Sequence, residues 1–268
     1  MNQPILLTGV TGALGRASAF ELARTGRHDL IVAGRSREKL NQLKGELVAA
    51  APKPIAVETV ELHLEDKSST EKAAAAVKAL TPSLYGIMSI AAVYKGARSL
   101  NADKQEMMFA TNHLGPFRLV NALRPLLQKD GRIVIVSAPT TTKLDFGDLQ
   151  GEKKFSALKA FGASKMCNLL YAFRLAREQK NASVMAFHPG LVKSDILKEA
   201  PALLRGFLGL VSSSPAAPAE ALRKMMTEPA YANSNGKFLN KKLKEMKAAP
   251  YAHDKSAQDK LWEVSERM

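Results

Sequence analysis

The chain has 268 residues, 46% of them apolar, and a formal net charge of +14, a length and apolar content that suit a single large α/β domain. Its single cysteine, Cys167, excludes an internal disulfide framework and thiolate-rich metal sites, and fits a reducing compartment with the cytoplasm as the expected address. The basic charge is dispersed, KKLKEMK (241–247) being the densest cluster, and without aromatic interleaving or finger spacing it argues for a solvated surface and against nucleic-acid binding.

The opening MNQPILLTGV passes directly into an apolar strand-like run, with neither a signal-peptide pattern nor a stretch of membrane-spanning length. Strand-like PILLT precedes helix-like LGRASAFELARTG, DLIVAG precedes SREKLNQLKGELVAA, and PIAVETVEL precedes DKSSTEKAAAAVKAL. The order continues with YGIMSIAA, a long helix around EMMFATNHLGPFRLVNALRPLL, GRIVIVS, the helix after Ala160, and ASVMAFHP. Strands alternating with helices of ~10–20 residues predict right-handed βαβ crossovers, hence a doubly wound parallel sheet covered on both faces. Ser36 and Asp66 are N-cap candidates and Gly26 a helix stop. Past His188 the pattern loosens: SDILKEAPALLRGFLGLVSSS (194–214) is apolar yet broken by Pro201, Gly206 and Gly209. It is expected to be a lid, with a kinked buried helix as the alternative. SSSPAAPAE (212–220) reads as a loop before the helix EALRKMM.

At the first strand–helix junction, TGVTGALG sets Gly9, Gly12 and Gly15 three residues apart. Glycines suit such a turn because backbone must bend tightly and approach a pyrophosphate, whose charge then sits on amides at the helix N-terminus. At the end of the second strand, where a carboxylate would bind an adenosine ribose, stand Gly34 and Arg35. A guanidinium there suits a 2′-phosphate, so the expected cofactor is NADP(H), with Arg16 as a second cation.

These segments resemble the short-chain dehydrogenase/reductase family, and most closely its retinol-dehydrogenase-like branch, which also takes in protochlorophyllide-reductase-type proteins. The resemblance runs along nearly the whole chain: TGVTGALG, AGRSREKL, TNHLGPF, GRIVIVS, KLDFGDLQGEKKF, SKMCNLLYAFRLA, HPGLVKSDI and LWEVSERM. It implies a Rossmann-type sheet of about seven strands in one domain over residues 1–268, a nicotinamide cofactor and a lipophilic small-molecule substrate. It also implies homodimers or homotetramers built on the two long helices. The implied cofactor set is Gly9, Thr11, Gly12, Leu14, Gly15, Arg16, Arg35, His63, Leu64, Ala91, Ala92, Lys165, Pro189, Gly190, Val192 and Ser194, with no metal ligands. His63 stands where an acidic residue is usual near adenine, and Ser89-Ile90-Ala91-Ala92 replaces the usual Asn-Asn-Ala-Gly turn.

In the family a tyrosine hydroxyl gives a proton, a serine hydroxyl holds the substrate oxygen, a lysine lowers the tyrosine pKa, and an asparagine keeps a relay water in place. Asn112 and Lys165 match their positions, whereas the serine aligns with Ala138, only Ser137 remaining, and the tyrosine with Phe161. A phenyl ring neither titrates nor donates, and losing a positioned acid costs ~10²–10⁴ in rate. Carbonyl reduction by the family route is therefore expected to be crippled. Thr140, Thr141, Thr142 and Tyr94 are the candidate substitute hydroxyls, and Lys165 is the remaining charged donor. The expectation is an oxidoreductase of atypical chemistry that favours an activated alkene or iminium. A non-redox cyclase or isomerase on the same fold, and an inactive NADP(H)-binding pseudoenzyme, are the rivals. Tyr to Phe and Ser to Ala are also the two smallest deletions by which a designer would silence such a site. Histidines 28, 63, 113, 188 and 253 show no ligand spacing, Cys167 reads as a buried small residue, and Tyr171 lies too far along its helix to replace Phe161.

Overall fold

In the computed structural model, which describes residues 3–193, 196, 198–199 and 212–268, the apolar runs form seven parallel strands. These are β1 (Ile5–Thr8), β2 (Leu30–Gly34), β3 (Val57–Glu61), β4 (Leu84–Ser89), β5 (Leu127–Val136), β6 (Ala182–His188) and β7 (Phe238–Asn240). β1 and β2 are buried at every position, as strands covered on both faces must be, and both read as continuous apolar runs. Their order is β3-β2-β1-β4-β5-β6-β7. Strand order reverses between β1 and β4, which opens a crevice beyond the carboxyl ends of those two strands. This is the Rossmann-type doubly wound sheet that the alternation predicts.

Successive strand residues face opposite sides. Leu6, Ile31, Ile87, Ile133 and Val184 join one core with helices α3 (Lys67–Leu80), α5 (Gly115–Leu123) and α6 (Ala157–Glu178). Leu7, Val32, Met88, Val134 and Met185 join the other with α1 (Ala13–Ala23), α2 (Arg37–Ala50) and the helix Ala216–Thr227. Ser36 accepts from the Lys39 amide and Asp66 from the Ser69 amide, capping α2 and α3 as their positions suggest. Gly26 sits at φ +59°, the left-handed stop expected after α1.

The long helix read around EMMFATNHLGPFRLVNALRPLL is interrupted. A short α4 (Met107–Phe109) leads into a π-helical turn, Ala110–Leu114, before α5 begins. Pro116 has no amide to bond the Asn112 carbonyl four residues back, and its ring crowds that carbonyl. The Gly115 amide instead reaches back five residues to Ala110. Pro125 ends α5 in the same way, leaving Arg124–Leu126 as a 3₁₀ turn.

Two elements fall outside the alternation seen in the sequence, the edge strand β7 and the last helix, Lys255–Arg267. That helix covers α5 and α6. Trp262 stands 5.0 Å from Phe117 and 5.8 Å from Tyr171, His113 Nε2 is 2.8 Å from Ser265 Oγ, and Arg174 and Arg177 both pair with Asp259. Burial holds His113 neutral, its pKa down to about 3. The two long helices expected to support self-association thus also carry contacts to the chain's own last helix. Among the described residues no helix is long and apolar enough to cross a membrane. Most of the 194–214 segment, including Pro201, Gly206, Gly209 and the cofactor candidate Ser194, lies outside the described residues.

Candidate active site

The three glycines of the first turn have different reasons to be glycine. Gly9 has φ +73°, and a Cβ there would approach the Ala91 backbone to 2.8 Å; one on Gly15 would collide with the Gly9 carbonyl. Both are demanded by the packing of the turn itself. Gly12 is exposed, and a Cβ there would meet only the Gly9 carbonyl oxygen, at 3.4 Å. Its bare backbone leaves open space over the amides that begin α1, which no side chain caps. That is the space an anionic group needs in order to reach those amides.

The crevice is held together by Thr8, whose buried Oγ1 accepts from the amides of Ile90 and Ala91 at 3.1 and 3.3 Å. Thr11 lies beside Gly34 at the end of β2, and Leu14 is buried against the core. Arg35 is exposed and has no ion-pair partner among the described residues. Arg16 pairs with Glu46 at the surface and lies 5.0 Å over the Phe20 ring. His63 sits between the carboxylates of Glu61 and Glu65, at 3.6 and 3.5 Å. Leu64 is buried, with Gly115 packed on its carbonyl, and Ala91 and Ala92 are half-buried at the end of β4.

At the other side of the crevice, the π-helical turn presents Asn112, which is fully buried. Its Oδ1 accepts from the Val93 amide at 2.7 Å, and its Nδ2 donates to the Val93 carbonyl at 2.9 Å and to Ser164 Oγ at 3.0 Å. Ser164 Oγ in turn donates to the Phe161 carbonyl at 2.8 Å. Asn112 therefore ties the loop after β4 to α6 and spends both side-chain donor hydrogens within the protein. Ser137 donates to the Lys165 carbonyl at 2.7 Å, a structural use that leaves Ala138 with only a methyl group.

Phe161 precedes Lys165 by one turn of α6, and the Lys165 Nζ lies 5.2 Å from its ring centroid. Lys165 is 5% exposed, and its Nζ has no hydrogen bond or ion pair among the described residues. Burial alone pulls its pKa down to about 8. Tyr94 is buried and meets Phe161 edge-on at 5.6 Å. Thr140 and Thr142 also come up to α6: a Cβ on Gly162, next to Phe161, would lie 3.4 and 2.6 Å from their hydroxyl oxygens.

Sequence reasoning missed the apolar group that completes this site. Met108, Phe155 and Ile196 pack with Tyr94 and Phe161 in a cluster separate from both main cores. Nothing in their own spacing marks them, since they come from three distant segments. Ser164, next to Lys165, carries no motif of its own that would mark it in the sequence. In HPGLVKS, Pro189 is half-buried, Gly190 has φ +75°, and Val192 forms a bridge with Ser213, which receives a hydrogen bond from Lys241. A cleft of about 420 Å³ lined by Phe173, Arg177, His253 and Gln258 lies elsewhere, with Phe173 ~12 Å along α6 from Lys165. Cys167 and Tyr171 are fully packed, and burial pushes the pKa of both up.

The short chain dehydrogenase family model matches residues 3–203. Human retinol dehydrogenase 14 is 31% identical over 100% of this chain and 86% of its own length. Among solved structures, a protein of Mycobacterium paratuberculosis superposes with a TM-score of 0.77 at 24% identity, covering 99% of this chain and 92% of that one. A short chain dehydrogenase of Burkholderia cenocepacia in complex with NADP gives 0.71 at 18% identity, covering 90% and 96%.

Proposed function

The chain belongs to the short-chain dehydrogenase/reductase family, on its retinol-dehydrogenase-like branch, and from that premise we propose that it binds NADP(H) and acts on a lipophilic small molecule without the usual tyrosine and serine. Open space over Gly12 and the unpaired guanidinium of Arg35 supply the two features that a 2′-phosphorylated dinucleotide needs, amides for pyrophosphate and a cation at the ribose edge. The NADP carried by the Burkholderia cenocepacia structure supports the same reading. Gly9, Thr11, Gly12, Leu14, Gly15 and Arg35 would hold the adenosine and phosphates, with His63 and Leu64 beside adenine. Ala91, Ala92, Lys165, Pro189, Gly190 and Val192 would border the nicotinamide. The bound cofactor would supply or accept a hydride.

One observation carries the chemistry. Beside Lys165, where a hydroxyl is usual, stands a phenyl ring, and a phenyl ring gives no proton. A carbonyl whose carbon gains a hydride puts full negative charge on its oxygen and needs that proton at once; an iminium gains no negative charge, and an activated alkene spreads it over an enolate. Proximity of the bound partners then supplies much of the rate. The substrate would lie against Tyr94, Met108, Phe155, Phe161 and Ile196.

Absorbance of NADPH followed with matched enones, imines and ketones tests the reading, and oxidation in the presence of the first two but not the third is expected. Phe161→Tyr with Ala138→Ser should then add ketone reduction. No oxidation with any acceptor refutes the redox assignment, and product formed equally with oxidised and reduced cofactor would establish a non-redox reaction instead.

A further inference from the structure

Within the basic cluster KKLKEMK (241–247), Lys242, Lys244 and Lys247 are exposed, whereas Lys241 is half-buried. β6 and β7 run in register with His188 beside Asn240, so Lys241 is the first residue past the ladder and continues alongside Pro189 and Gly190. A tight turn holds it there. Asn240 Oδ1 accepts from the amides of Lys242 and Lys244 at 2.9 and 3.2 Å, and its carbonyl accepts from the Leu243 amide at 2.7 Å. From this turn the lysine reaches the HPGLVKS segment. Its Cδ, Cε and Nζ would each lie 3.5 Å from a Cβ on Gly190, ordinary packing distance, and its Nζ donates to Ser213 Oγ at 3.0 Å. Ser213 is itself joined to the same segment. Its amide donates to the Leu191 carbonyl at 2.9 Å, its carbonyl accepts from the Lys193 amide at 3.0 Å, and its hydroxyl donates to the Leu191 carbonyl at 3.3 Å. Lys241 thus ties that joint to the turn after β7.

We propose that Lys241 is a positioning residue for the nicotinamide end of the cofactor. By pinning Ser213 and packing on Gly190 it fixes the backbone of Gly190 and Val192, which the reading above sets beside the nicotinamide, and it acts only through them. A segment held in place before the ligand arrives loses less freedom on binding, so removing the tie weakens the contacts that this segment makes and no others. The inference rests on the NADP(H) reading for its ligand, whereas the joint belongs to the protein alone, so the two can fail separately.

Lys241→Met keeps most of the stem and removes the donor, Lys241→Arg keeps a cationic donor, and Ser213→Ala removes the acceptor. In the full chain without cofactor, hydrogen exchange followed by NMR should show the Lys193 and Ser213 amides opening ~10-fold faster in Lys241→Met and Ser213→Ala, with β1 and β2 unchanged. Lys241→Arg should restore most of the protection. By calorimetry, Lys241→Met should bind NADPH ~5–10-fold more weakly and bind 2′-phospho-ADP-ribose, which lacks nicotinamide, as tightly as the parent does. Unchanged exchange at Lys193 and Ser213 in both weakened variants overturns the proposal. So does faster exchange with NADPH affinity intact, or with the two nucleotides weakened alike. A parent that binds neither nucleotide refutes the NADP(H) reading instead, and the exchange result alone then decides whether Lys241 fixes the segment.

Discussion

Replacing Lys165 with methionine should make the protein more stable at neutral pH, the opposite of what deleting a paired buried charge does. Burial lowers the lysine pKa to about 8 from 10.5, so keeping it charged in the folded state at neutral pH costs about 3 kcal/mol. The Phe161 ring face, 5.2 Å from Nζ, offsets part of this, and the net gain expected for Lys165→Met is about 2 kcal/mol. The pH dependence carries the sign. The folded protein releases this proton near pH 8, while the unfolded chain holds it to about 10.5. Between those values the unfolded state binds more protons, and this contribution to stability rises with pH. Cys167 and Tyr171 act in the other direction, because burial raises both pKa values and the unfolded chain ionises first. Both are present in parent and variant, so the difference between two urea titrations taken across the alkaline range isolates Lys165. The gap should be widest near neutrality and close steadily above pH 8. A variant less stable than the parent at neutral pH, or a gap that stays constant, would refute the assignment of an unpaired buried ammonium.

Gly12→Ala should melt within a few degrees of the parent, because its Cβ meets nothing nearer than 3.4 Å, yet lose ~10-fold or more in NADPH affinity by calorimetry. Gly15→Ala, which drives a methyl into the Gly9 carbonyl, should lose ~1–3 kcal/mol of stability as well. Arg35→Glu should weaken NADPH binding ~10–100-fold and spare NADH, the loss expected for one charge-assisted contact to phosphate. Trp262→Ala should destabilise the protein by urea unfolding, by less than the ~3–5 kcal/mol of a fully buried tryptophan because Trp262 is half-buried. By uncovering Phe117 and Tyr171 it should also promote self-association in sedimentation velocity.

The sheet was legible because its signals are local. PILLT, DLIVAG and GRIVIVS are apolar without alternation, as doubly covered strands must be, and Ser36, Asp66 and Gly26 mark helix ends through contacts within a few residues. The phosphate turn was legible for the same reason, although only the packing around it separates Gly12 from Gly9 and Gly15. The π-helical turn follows from Pro116, but in sequence one proline inside an amphipathic run looks like a tolerated defect. β7 is only Phe238–Asn240, too short for its pattern to stand out. The apolar group around Tyr94 was invisible because its members are brought together only by the fold. The same holds for the pairing of Arg16 with Glu46, thirty residues away, which no local pattern announces.

The cover that Lys255–Arg267 places over α5 and α6 also has a consequence for synthesis. Phe117 and Tyr171 belong to helices made long before Trp262, and translation proceeds at ~5–20 residues per second from the amino end. For ~5–20 s, then, the growing chain holds an open aromatic face that its own last helix has not yet reached. A chaperone that recognises exposed rings would have its opportunity in that interval, and crowding of ribosomes on one message would bring identical open faces together.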